Sequence, residues 1–285
     1  LFDAIEDAGF SYVNNMHGRG TLRYIKEEAN SSNSLDQLRE HLNNFKVRIV
    51  LTAHPTQFYP DSVLGIINDL SKSINEGSLD TVKKLLNQLG RTRFYKTKKP
   101  SPYDEATSLI WYLENIFYYS AGNIVNYLNE NVFKGNKLDN SIFDFGFWPG
   151  GDRDGNPYVT PEITLKTAKK LKHSVLRNYY RSLRSLRRKV TFEGVYERVQ
   201  DLENKVYKRL FKPSTDGLTL EYLKSELYQI YKLIRDKFDG LYCDEVLDLI
   251  HKVKLFGFHF ASMDLRQDSR VHSDVFNNIL KNKEV

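Results

Sequence analysis

The chain has 285 residues, 40% of them hydrophobic and 27% charged, with a net charge of +6. That suits a globular chain of one or two domains with a sizeable core, and its basic balance favours anionic partners. No run of about eighteen apolar residues occurs, so no membrane span is expected, and the single cysteine, Cys243, excludes an internal disulfide or a thiolate metal cluster and argues for a reducing, cytoplasmic setting.

In chain order, the opening LFDAIEDAGF lacks an initiator Met, a basic n-region and an apolar h-region, so it is not a signal peptide and reads as entry partway into a helix of a longer protein. Asn30 to Ser34 is a polar loop, followed by an amphipathic stretch through Leu38 and Leu42. Val47 to Thr52 is short and β-branched. Ser101 then caps a long helix, with Pro102 at its first position and Asp104 and Glu105 opposing the dipole. Its apolar stripe runs Ala106, Ile110, Leu113, Phe117, Ala121, Val125, Leu128.

Phe143 to Trp148 is the second strand-like run. Thr160-Pro161-Glu162 starts another helix, with Leu165, Ala168, Leu171, Val175, Tyr179, Leu183, Leu186 and Val190 on one face. The opposite face carries Arg177, Arg181, Arg184, Arg187 and Arg188 among several lysines, and reads as solvated or as contacting another part of the protein. A nucleic-acid interface is the rival reading, but no aromatic platform is interleaved with these charges, so no nucleic-acid partner is expected. Val195 to Leu210 and Leu220 to Ile234 mark two further helices, separated by a loop at Pro213 to Gly217. Phe256 to Leu265 alternates partly and is the third strand-like run.

The expected fold is therefore mainly α, with many helices and about three short parallel strands, an incomplete part of an α/β (TIM-like) barrel. Helices between the strands forbid hairpins, and in parallel sheets function collects beyond the strand carboxyl ends. Three junctions follow. After the first strand comes Thr52-Ala53-His54-Pro55-Thr56-Gln57, with His54 a candidate acid or base. After the second comes Trp148-Pro149-Gly150-Gly151-Asp152-Arg153-Asp154-Gly155-Asn156-Pro157. Its glycines allow close backbone approach, Arg153 offers a fork for phosphate or carboxylate, and Asp152 and Asp154 can orient that fork or help hold a metal. After the third comes Met263-Asp264-Leu265-Arg266-Gln267-Asp268-Ser269, with Arg266 at a strand end and Gln267 and Ser269 as neutral donors.

These three motifs, in this order and with K-P-S-P-Y-D-E-A at Lys99 to Ala106 between them, resemble phosphoenolpyruvate carboxylase from about Val47 onward. The resemblance implies that residues 1–285 are an amino-terminal portion, with a helical lead-in over 1–46 and the first barrel strands and a partial active site over 47–285. The family joins bicarbonate to phosphoenolpyruvate through carboxyphosphate and an enolate, giving oxaloacetate and phosphate, with Mg²⁺ or Mn²⁺. His54 matches its catalytic histidine, Arg266 a substrate-binding arginine, and Arg153 with Asp152, Asp154 and Gln267 the surrounding pocket. The rest of the same polypeptide, and a homotetramer at full length, are further implied partners.

Two departures stand out. Phe58-Tyr59-Pro60-Asp61 replaces basic residues that commonly follow the histidine motif. The family's metal carboxylates, its Y-S-D-S-x-K-D motif, its mobile loop and its inhibitor site match nothing here, so no metal ligand is expected in this chain and the isolated stretch is expected to be inactive. The alternative from another class is a non-catalytic regulatory or assembly module that keeps the motifs.

Overall fold

The computed structural model describes residues 21–52, 60–94, 100–134, 138, 142–154, 156–211 and 217–283. In chain order the elements are α1 (Leu22–Ser31), α2 (Leu35–Asn44), β1 (Val47–Leu51), α3 (Asp61–Asn75), α4 (Leu79–Gly90), α5 (Pro102–Tyr112), α6 (Tyr118–Leu128), β2 (Phe143–Phe147), α7 (Pro161–Arg187), α8 (Tyr196–Phe211), α9 (Leu220–Lys237), α10 (Cys243–Phe256), β3 (Ser262–Met263) and α11 (Ser269–Lys283). The chain divides into two compact units, residues 1–35 with 54–100 and residues 36–53 with 101–285. Among the described residues no helix is long and apolar enough to cross a membrane.

In the first unit α3 packs on α4 through Val63, Ile66, Leu70 and Leu89. Pro60, from the departure noted above, sits at the N-cap of α3, where its missing N–H costs nothing; Phe58 and Tyr59 lie outside the described residues.

The second unit is mainly α around a three-stranded parallel sheet of order β1-β2-β3, a partial α/β fold. The long helix begins where Ser101 predicts. Ser101 Oγ accepts from Asp104 N at 3.2 Å, and Asp104 Oδ2 accepts from Ser101 N at 3.0 Å, closing a capping box. The helix then continues through residues 102–133 with two π turns, Leu113–Phe117 and Asn129–Phe133, and stops at Lys134 in the left-handed region. Each π turn adds a residue to the helical repeat. As a result Tyr118 is fully buried while Phe117 is only partly so, a register that three- and four-residue steps do not foresee. The first π turn also buries Glu114, which Arg177 of α7 grips through Nε at 3.1 Å and Nη2 at 2.6 Å. Arg187 likewise reaches buried Glu203 of α8 at 3.2 Å. Two of the arginines on the basic face of α7 are thus tied inward.

The apolar stripe of α7 is buried from Leu171 to Leu186, but Leu165 is 61% exposed and Thr167 is buried in its place. The first turns of α7 face the glycine loop after β2 rather than the helical core. On the other side of the core, α6 meets α10 through a polar chain. Asn126 Nδ2 donates to Asp248 Oδ1 at 2.7 Å, so its Oδ1 accepts from His251 Nδ1 at 2.7 Å, and Lys252 Nζ donates to Asp248 Oδ2 at 2.6 Å. Gly122 makes room for Lys252, since a Cβ there would lie 2.4 Å from Lys252 Cε.

The third strand is shorter than the sequence pattern suggests. Phe256 ends α10, Gly257 and Phe260 take positive φ of 54° and 66°, and only Ser262 and Met263 pair with β2. The aromatic alternation reflects a turn whose Phe258 and Phe260 enter the core, not a pleated strand.

Candidate active site at the strand ends

Because the strands are parallel and in register from Val47↔Phe143 to Leu51↔Phe147, their carboxyl ends share one edge of the sheet. One face packs on the helices through Leu51, Phe145 and Phe147. The other carries Arg48, Asp144 and Asp264, and it is kept open by a glycine. A Cβ on Gly146 would lie 3.1 Å from Arg48 Nε and 3.2 Å from Asp264 Oδ2. Through that gap Arg48 reaches Asp144 Oδ2 at 3.2 Å with Nη1 and Asp264 Oδ1 at 2.8 Å with Nη2.

Beyond β2 and β3 the two chains remain paired. Asp264 N donates to Phe147 O at 3.1 Å, Arg266 N to Gly151 O at 3.1 Å, and Arg153 N to Arg266 O at 2.9 Å. Gly151 is required for this approach, because a Cβ there would sit 2.5 Å from Asp264 O. Gly150, at φ 79°, lies against α7, where a Cβ would meet Thr167 Oγ1 at 2.5 Å. Thr164 Oγ1 donates to Gly150 O at 2.6 Å and accepts from Arg153 Nη2 at 3.1 Å, so the helix start fixes both the loop and the arginine.

These backbone ties bring Arg153 and Arg266 together. The guanidinium carbon of Arg266 lies 4.2 Å from the centroid of the Trp148 ring, a cation–π arrangement. Its Nε is 3.8 Å from Asp152 Oδ1, an ion-pair distance beyond a hydrogen bond. Asp152 Oδ1 and Arg153 Nε are both buried, and neither has a hydrogen-bond partner among the described residues. Arg266 on the aromatic face, with Arg153 tied to it through the backbone, forms a cationic corner suited to phosphate or carboxylate.

Of the residues expected from sequence, Asp152, Arg153 and Arg266 meet here, whereas His54 lies outside the described residues. Asp154 is exposed on the loop. Gln267 uses Oε1 to accept from Asp268 N at 2.9 Å, and Asp268 in turn accepts from Arg270 N at 2.8 Å to open α11. Sequence reasoning did not single out Trp148, Asp264 or Arg48 as functional. Trp148 Nε1 donates to Asp264 Oδ2 at 3.1 Å, so the acid beside Arg266 in sequence also holds the ring beneath it. The spacing Asp264-Leu265-Arg266 was the one available signal, since alternate residues at a strand end share a face.

The phosphoenolpyruvate carboxylase family model matches residues 13–216 and 196–285. The chain belongs to the phosphoenolpyruvate carboxylase family. Similar curated proteins of that name include one from Shewanella sediminis, 26% identical over 86% of this chain and 33% of its own length. Another, from Prochlorococcus marinus, is 28% identical over 84% of this chain and 32% of its own length. The chain spans about a third of the length of these curated phosphoenolpyruvate carboxylases. Among the described residues no three His, Cys, Asp or Glu side chains are grouped so that they could hold a metal ion.

Proposed function

We propose that this chain supplies the first part of the substrate pocket of a phosphoenolpyruvate carboxylase. The observation that carries the reading is the cationic corner of Arg153 and Arg266, bound into one unit by the Gly151–Arg266 and Arg266–Arg153 backbone hydrogen bonds at 3.1 and 2.9 Å. Such a corner stabilises negative charge that shifts during phosphoryl transfer from phosphoenolpyruvate to bicarbonate. Arg266 holds the phosphate or carboxyl of the substrate, with Arg153 beside it and Asp152, Asp154 and Gln267 in support.

His54, placed by sequence just past β1, acts at the carboxyphosphate stage, before the enolate is carboxylated to oxaloacetate. The family's Mg²⁺ or Mn²⁺ would be held by carboxylates outside the described residues, where it would supply charge neutralisation. The working enzyme is a cytoplasmic homotetramer that needs the remaining two thirds of its relatives' length, and the 285-residue stretch alone does not turn over.

Bicarbonate- and metal-dependent oxaloacetate formation by the full-length protein, beside its His54→Asn variant, tests the reading. Turnover in the parent that fails in the folded variant supports it. A folded parent that makes no oxaloacetate overturns it and favours an assembly or regulatory module.

A further inference from the structure

We propose that Asp264 is the positioning residue of this anion corner, acting on Arg266 through the indole of Trp148. The proposal rests on the reading of Arg266 as an anion-binding group. The geometry has three links. Arg48 Nη2 donates to Asp264 Oδ1 at 2.8 Å, Trp148 Nε1 donates to Asp264 Oδ2 at 3.1 Å, and Arg266 lies 4.2 Å from the Trp148 ring centroid. Both carboxylate oxygens are therefore taken by donors on the sheet side. Among the described residues Arg266 pairs with Asp152 and the Trp148 ring and not with Asp264, although only Leu265 separates the two residues.

That division of labour matters for an anion site. A carboxylate in direct contact with Arg266 would compete with the incoming phosphate for the same N–H groups. Asp264 instead sets the ring plane on which the guanidinium rests, and the aromatic face steadies the cation without occupying its in-plane donors. Arg48, shared between Asp264 and Asp144, offsets part of the carboxylate charge near the ring. Gly146 makes the arrangement possible, because any side chain there meets both Arg48 and Asp264 within 3.2 Å.

Trp111 and Trp148 are the two tryptophans of the chain, so Trp148 is the sole reporter in a Trp111→Phe background. Phosphoenolpyruvate and inorganic phosphate are titrated against its fluorescence in the 285-residue chain, for Asp264→Ala, Asp264→Asn, Arg266→Lys and the double variant Asp264→Ala/Arg266→Lys. Asp264→Ala is expected to weaken binding roughly tenfold, the loss of one charge-assisted hydrogen bond's worth of positioning. Asp264→Asn, which still offers an oxygen to the indole N–H, recovers part of that loss. The double variant is expected to lose less than the product of the single losses, because the two residues act on one guanidinium.

If Arg266→Lys weakens binding and Asp264→Ala leaves it unchanged with an unaltered Trp148 spectrum, the positioning role is overturned while the anion site stands. Independent, multiplicative losses in the double variant overturn it as well. If no anion produces a saturable signal that Arg266→Lys diminishes, the anion-site reading and the positioning role fall together. A melting curve for each variant separates lost binding from lost fold.

Discussion

At the scale of single residues, the candidate site depends on two glycines that admit contacts no other residue allows. Gly151 lies where a Cβ would be 2.5 Å from a backbone oxygen, which cannot move aside as a flexible side chain could. Gly151→Ala is therefore expected to destabilise the chain by about 1–3 kcal/mol, the usual cost of forcing a methyl into filled space. Urea unfolding measures it, and a loss below about 0.5 kcal/mol, the ordinary range for an inconsequential change, refutes the strict requirement. Gly146→Ala is milder in packing but aimed at Arg48 and Asp264, so it is expected to reduce phosphate affinity more than stability. Parallel titration and melting of that variant check the contrast. Much of this was visible in advance, since the glycines, Arg153 and Arg266 stand in compact motifs. The Arg48–Asp264 pair was not, because its members are 216 positions apart and nothing local in either segment points to the other.

At the scale of elements, the helix over residues 102–133 bends its register twice to place side chains the core requires. Its first π turn buries Glu114 at 6% exposure against Arg177. Glu114→Ala removes one partner of a mostly buried ion pair. Full burial would make the loss about 3–5 kcal/mol, but Arg177 keeps a third of its surface in water, so about 1–3 kcal/mol is expected. Thermal melting of Glu114→Ala beside Glu114→Gln, which keeps a hydrogen-bond acceptor, provides the check, and equal melting temperatures for both variants and the parent refute it. The sequence made the start of this helix plain through Ser101, Pro102 and Asp104, and β1 and β2 through their β-branched and aromatic runs. It did not disclose the π turns, because a one-residue excess in a helix leaves the three- and four-residue spacing nearly intact. The third strand was overread for a related reason: alternating aromatics satisfy a buried turn as well as a pleat.

At the scale of the whole molecule, burial and charge give the fold a definite pH dependence. Burial, the largest cause, holds the imidazoles of His251 and His173 below their ordinary value, with Arg177 and Lys170 adding to the effect at His173. A depressed folded-state value means that the unfolded chain takes up protons first as pH falls. The stability these residues contribute is present above about pH 6.5, the ordinary histidine value, and is lost as pH falls from there through the depressed folded-state values. Denaturation midpoints at pH 7.5 and 5.5 are expected to differ in that sense. His251→Gln, which can still donate to Asn126, should flatten part of the difference, and an unchanged slope in that variant refutes the assignment to His251.

The division of the chain has a consequence for its synthesis. Residues 54–100 interrupt the second unit, so β1 leaves the ribosome long before the strand it pairs with, Arg48 preceding its partner Asp144 by 96 positions. At translation rates of about 5–20 residues per second, that interval is roughly 5–20 s. Helices form in microseconds or less. The α3–α4 pair therefore has time to fold while β1 waits without a neighbour, and β2, once translated, is the template that captures it.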